Sequence, residues 1–118
     1  MAHCPYDRLG DLEEVLEEVR RWPGVVETQP GIFYLRRTGF LHFHLKEATR
    51  WADARFGRDW GPPIMIPLAA STAVRQRFLG EIRRRYTTTT EVLGNGNGRG
   101  GSRSTSTRRR RPQGARSV

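Results

Sequence analysis

Apolar positions along the chain change period twice. Leu9, Leu12, Val15, Leu16 and Val19 recur at three- and four-residue spacing, with Asp11, Glu13 and Glu14 at the start and Arg20 and Arg21 at the end, which predicts an amphipathic helix over residues 8–21. Trp22-Pro23-Gly24 ends it, because proline cannot continue a helix and glycine supplies the turn. Short strands are predicted over 25–28 and 32–36, separated by Gln29-Pro30-Gly31. From Phe40 the period is two: Leu41, Phe43 and Leu45 alternate with His42, His44 and Lys46, then Ala52, Ala54 and Phe56 alternate with Trp51, Asp53 and Arg55. Residues 57–63 form a turn-rich loop, and 64–68 a fifth short strand that Pro67 confines to an edge or strand end. After Ser71 as N-cap, Val74, Phe78, Leu79, Ile82 and Tyr86 restore the helical period to about Tyr86, where four threonines, poor helix formers, follow.

The two period-2 runs come together only in registers that keep both apolar sets on one face. Leu45 opposite Ala52 and Phe43 opposite Ala54 would set His44 against Asp53 and His42 against Arg55, at the ~4.5 to 5.5 Å Cβ spacing of cross-strand neighbours. A three-residue turn at Arg37-Thr38-Gly39 would place Leu35 opposite Leu41, Phe33 opposite Phe43, Tyr34 opposite His42, Ile32 opposite His44 and Arg36 opposite Phe40. The expected fold class is α+β: helix, antiparallel meander of about five strands, helix. Both helices would lie on one sheet face, burying Phe33, Leu35, Leu41, Phe43, Leu45, Ala52, Ala54 and Phe56 against Leu12, Leu16, Val74, Phe78 and Ile82, while the other face meets water.

Charge separates the chain into a domain over 1–93 and a tail over 94–118. The tail has no apolar residue larger than alanine before Val118, so disorder is expected. It carries seven arginines and no acid, which accounts for seven of the nine excess positive charges, so the folded part is nearly neutral. One lysine among 21 basic residues marks a compositional skew toward arginine. Cys4 is the sole cysteine, which excludes an internal disulfide framework and fits a reducing compartment. No apolar run approaches the roughly 18 residues of a membrane span, and the first residues lack a signal pattern, so a soluble cytoplasmic protein with no membrane partner is expected.

Arg21-Trp-Pro-Gly-Val25, the His42-x-His44 strand, the downstream Asp53 and a closing helix ending in Tyr86 resemble the small bacterial luciferase-domain family over residues 12–86. That family opens with a helix, Trp-Pro-Gly-Val and a hairpin, then carries Gly-His-x-His and an aspartate. Here Leu41 stands in the glycine position, and the family's later His-His and Ser-Gly-Trp stretch has no counterpart near 60–66. The layout is also similar to that of MmcQ/YjbR-like proteins, which have a Leu-Pro-Gly-Val turn, a frataxin-like sheet and a terminal helix. The first resemblance implies no light emission, and the second implies only a suggested DNA-binding role.

His42, His44 and Asp53 have the composition of a two-histidine, one-carboxylate metal site, although polar residues on a solvent-facing sheet are ordinarily cross-strand partners, and His3-Cys4 would join only if the N-terminus folded back. Asp53 can also orient His44 as a general acid or base, but no activated nucleophile accompanies it: Cys4 lacks a context that lowers its pKa and Ser71 reads as a cap. Gly94–Gly101 lacks the Lys-Ser/Thr of a phosphate loop, so it reads as a linker and no cofactor is expected. Arg108, Arg109, Arg110 and Arg111 suit nonspecific contact with phosphates or nucleic acid. The expected function is a binding or interaction module that uses Tyr34, Arg36, His42, His44, Trp51, Asp53 and Arg55 on an open sheet face toward a ligand or protein. The alternative is a metal-dependent or acid/base enzyme built on His42, His44 and Asp53.

Overall fold

Two long strands, β3 (Thr38–Lys46) and β4 (Thr49–Phe56), form the spine of the computed structural model, which describes residues 3–94. On one side of β3 lie β2 (Ile32–Leu35) and β1 (Val25–Gln29). On the far side of β4 lie β5 (Asp59–Trp60) and β6 (Ile64–Met65), and every pairing is antiparallel. Helices α1 (Glu13–Arg20) and α2 (Thr72–Gly94) precede and follow the sheet in the chain and share one core with it, so the expected α+β meander is present with six strands rather than five. The extra one, β5, arises inside the loop expected over 57–63.

One core joins Leu12, Leu16 and Val19 to Phe33, Leu35, Leu41, Phe43, Ala52, Ala54, Phe78, Ile82 and Tyr86. Phe43 meets Phe78 edge-on at 5.9 Å between ring centroids, and Phe40 meets Tyr86 at 6.1 Å. Ala52 and Ala54, both without exposed surface, let α2 approach β4 closely. Leu45 and Val74, expected in the core, are only half-buried at its rim, and Phe56 is likewise only half-buried.

Both hairpins close more tightly than expected. A two-residue turn, Glu47-Ala48, with Glu47 at φ 56°, lets β3 and β4 pair out to Lys46 and Thr49. This moves the register by two: Leu41 faces Ala54, Phe43 faces Ala52, His42 faces Asp53 and His44 faces Trp51. A shift of two preserves which side chains share a face, so the apolar sets stay together. The β2–β3 turn is Arg36-Arg37, both left-handed at φ 53° and 71°, rather than 37–39. It pairs Leu35 with Thr38 and Tyr34 with Gly39, and an irregularity then resets the register to Phe33 opposite Leu41. The extra residue in β3 lets Phe40 and Leu41, adjacent in sequence, both be fully buried.

The helix expected over 8–21 begins as two 3₁₀ turns, Tyr6–Arg8 and Gly10–Leu12, before α1. Arg50 holds that segment down. Its fully buried guanidinium donates to both carboxylate oxygens of Asp11 at 2.8 Å and to the carbonyls of Arg8 and Pro67 at 2.8 Å. Asp11 also accepts from the Ala70 amide at 2.7 Å, and the Arg50 guanidinium holds its carboxyl down at about 2.

Ser71 caps α2 as expected, its hydroxyl accepting from the Val74 amide at 3.2 Å. The helix does not end near Tyr86 but runs through the threonines to Gly94. Thr89 is fully buried, accepting from the Gly57 amide at 2.9 Å and donating to the Arg55 carbonyl at 3.3 Å, so tertiary bonding overrides its poor helix propensity. Among the described residues no helix is long and apolar enough to cross a membrane. The expected tail beyond Gly94, with Arg108, Arg109, Arg110 and Arg111, lies outside the described residues.

Candidate metal centre

The period-2 alternation of β3 turns His42 and His44 away from the helices, and the two-residue turn brings Asp53 of β4 directly opposite His42. Asp53 thereby reaches both histidines: its Oδ2 is 2.9 Å from His44 Nε2 and 3.4 Å from His42 Nε2. The ligand atoms of the three residues all lie within 4.8 Å of one another. Ligands bound at ~2.0 to 2.2 Å to one ion stand ~3 to 3.5 Å apart, so both Asp53 edges already have the spacing of a shared ion, and side-chain rotation can bring in the third.

His44 Nε2 is buried and makes no hydrogen bond, even though Asp53 Oδ2 stands 2.9 Å away as an ion-pair contact. A buried polar atom left unpaired costs ~1 to 3 kcal/mol, and a bound ion or water is one of the few things that removes the penalty. Burial, reinforced by the neighbouring His44 and opposed by Asp53, pushes the His42 imidazole below its ordinary value of 6.5. At neutral pH it is therefore the uncharged ligand form.

Two indoles wall the site. Trp60 stacks on His42 at 4.8 Å with 2° between planes, Trp51 stacks on His44 at 5.1 Å and 21°, and the two imidazoles meet at 4.6 Å and 74°. Stacking sets the ring orientations and narrows access to water. Trp60 reaches its place over Gly39, where an added Cβ would come within 3.3 Å of the indole. The Arg55 guanidinium lies 4.7 Å from the Trp60 ring centroid and is committed to the backbone, donating to the carbonyls of Gly39 and Arg58 at 2.6 Å.

The structure thus gathers four of the expected residues, His42, His44, Trp51 and Asp53, and corrects four features of the surface. The face is not fully open, since His44 is only 6% exposed, although it is not beneath the helices. Arg55 does not face His42; it pairs with Trp60 on β5. Arg36 occupies the β2–β3 turn and its side chain runs beside Gly24 and Gly94, so it is no part of this cluster. Tyr34, 39% exposed, stands opposite Val26 and Gly39 and outside the cluster. The Cys4 thiol is buried, which pushes its pKa up and argues against a nucleophile.

One neighbour of the cluster was not legible in the pattern, and the fold-back on which His3 depended is present. Trp60 falls in a Gly/Pro-rich loop with no strand periodicity, and its only signal is a large aromatic residue among turn formers. His3 returns to the sheet, bridging β3 at His44, because β2 leaves that stretch of the β3 edge unpaired. No family model, curated protein or solved structure matches the chain.

Proposed function

We propose that this chain is a small metal-binding module whose β3–β4 face holds a divalent transition-metal ion through His42 Nε2, His44 Nε2 and an oxygen of Asp53. The observation that carries this reading is the convergence of three ligand atoms around a buried His44 nitrogen that no hydrogen bond satisfies. Two imidazoles and one carboxylate suit Zn²⁺, Co²⁺, Ni²⁺ or Fe²⁺ rather than the all-oxygen coordination that Mg²⁺ or Ca²⁺ prefers. Set against the divalent ion, the single carboxylate leaves the centre with net charge +1, which favours an anionic group at any remaining coordination position. With no activated nucleophile beside the site among the described residues, the binding role is better supported than a catalytic one.

The test is metal analysis of the full chain after equilibration with Zn²⁺ and exhaustive dialysis. One ion per chain is expected, falling to background in His44→Ala and Asp53→Ala. No retained metal, or retention unchanged by both substitutions, would overturn the reading. A second activity rests on charge alone: seven tail arginines with no acid favour phosphate contact, detectable as nucleic-acid binding that falls steeply with salt and disappears when residues 95–118 are removed.

A further inference from the structure

All three histidines of this chain share one face of the sheet. The N-terminal strap runs antiparallel to β3 with His3 opposite His44, and cross-strand partners project to the same side. Its neighbour confirms the parity: Cys4 donates its amide to the Phe43 carbonyl at 3.0 Å and buries its side chain in the core, so His3 must emerge on the opposite, site-bearing face. The His3 and His44 rings stand 6.2 Å apart at 63°. His3 is exposed while the residues after it are anchored, through Cys4, Leu9 and the Arg50–Asp11 pair, so its imidazole can turn toward the cluster without disturbing packing.

We infer that His3 is the fourth protein ligand of the metal centre, so that loading the ion draws the N-terminal strap onto β3. This rests on the metal-binding reading above and adds to it. Three nitrogens and one carboxylate oxygen complete a tetrahedral Zn²⁺ or Co²⁺ sphere, in which three ligands alone would leave a position to water. The centre is then closed at rest and opens only when an incoming ligand displaces His3. Because His3 and Cys4 pair with the β3 edge, ligation by His3 couples metal occupancy to the order of that pairing.

The experiment uses the full chain with no residue added before Met1 and Co²⁺ as the probe, comparing wild type, His3→Ala and His42→Ala. Wild type is expected to give the intense visible absorption of four-coordinate Co²⁺, and metal is expected to slow hydrogen exchange at the Cys4 amide. His3→Ala should still bind one Co²⁺, at least about ten-fold more weakly, the loss that even an outer-shell partner causes, with the weaker bands of a water-containing sphere and no slowing at Cys4. His42→Ala should lose binding. Identical affinity, spectrum and Cys4 exchange in wild type and His3→Ala would overturn the role of His3 and leave the three-residue site standing. No Co²⁺ binding by wild type would remove both.

Discussion

Replacing Asp11 by Asn tests the ion pair that pins the N-terminal segment. The guanidinium of Arg50 has no exposed surface, and Asp11 supplies both of its carboxylate contacts. Removing one partner of a buried pair ordinarily costs ~3 to 5 kcal/mol, because the remaining charge stays buried. An amide keeps a carbonyl for one Arg50 donor or the Ala70 amide, which places the expected loss near the lower bound, about 3 kcal/mol at pH 7. The pH dependence is an independent check. The folded carboxyl sits at about 2 against an ordinary 3.8, so the unfolded chain takes up the proton first as acid is added. The pair's linked contribution is complete above pH 3.8 and is lost as pH falls through about 2; the gap corresponds to about 2.5 kcal/mol. Urea denaturation of wild type and variant at a series of pH values reads this directly, since the other carboxylates cancel in the difference. The two curves should converge between pH 4 and 2. Parallel curves, or a difference below 1 kcal/mol at pH 7, would refute the argument.

Phe43→Ala, at a core position with 1% exposure that meets Phe78, should lower stability by about 3 to 5 kcal/mol in chemical denaturation, whereas His44→Ala, which also removes a buried nitrogen without a hydrogen bond, should cost less stability and remove metal binding. The reverse ordering would mean that the two faces of β3 are misassigned. Thr89→Val leaves the buried Gly57 amide without its acceptor and should cost ~1 to 3 kcal/mol, with faster exchange at that amide; no change would show that the last turns of α2 are not held by this bond. Trp60→Phe should weaken metal binding modestly without loss of fold, through looser seating of His42, and an unaltered metal affinity would remove the indole from the site.

Much of this fold is legible in the chain because alternation reports faces. Leu41 and Phe43 against His42 and His44, and Ala52 and Ala54 against Asp53, place these side chains on the correct sides of the β3–β4 pair. Alternation does not report register, since a slip of two leaves every face unchanged. The difference decides the chemistry: the slip takes Arg55 from opposite His42 and puts Asp53 there, within reach of both imidazoles. Turn length chose between the two registers. Neither Glu47-Ala48 nor Arg36-Arg37 carries the Asn or Gly that would announce left-handed turn residues, so both turns were invisible to composition. Thr89 and Arg50 were obscure for another reason: both owe their places to partners more than thirty residues away, Gly57 and Asp11, which local propensity does not encode.

The most direct measurement of the metal centre is a crystal structure of the full chain grown with Zn²⁺ or Co²⁺, with diffraction data collected on both sides of the metal's absorption edge. The account predicts one anomalous peak per chain on the β3–β4 face, within ~2.0 to 2.2 Å of His42 Nε2, His44 Nε2 and an oxygen of Asp53, walled by Trp51 and Trp60. A metal-saturated crystal with no peak there, or with His44 Nε2 aligned into an ordinary hydrogen bond to Asp53, would contradict it.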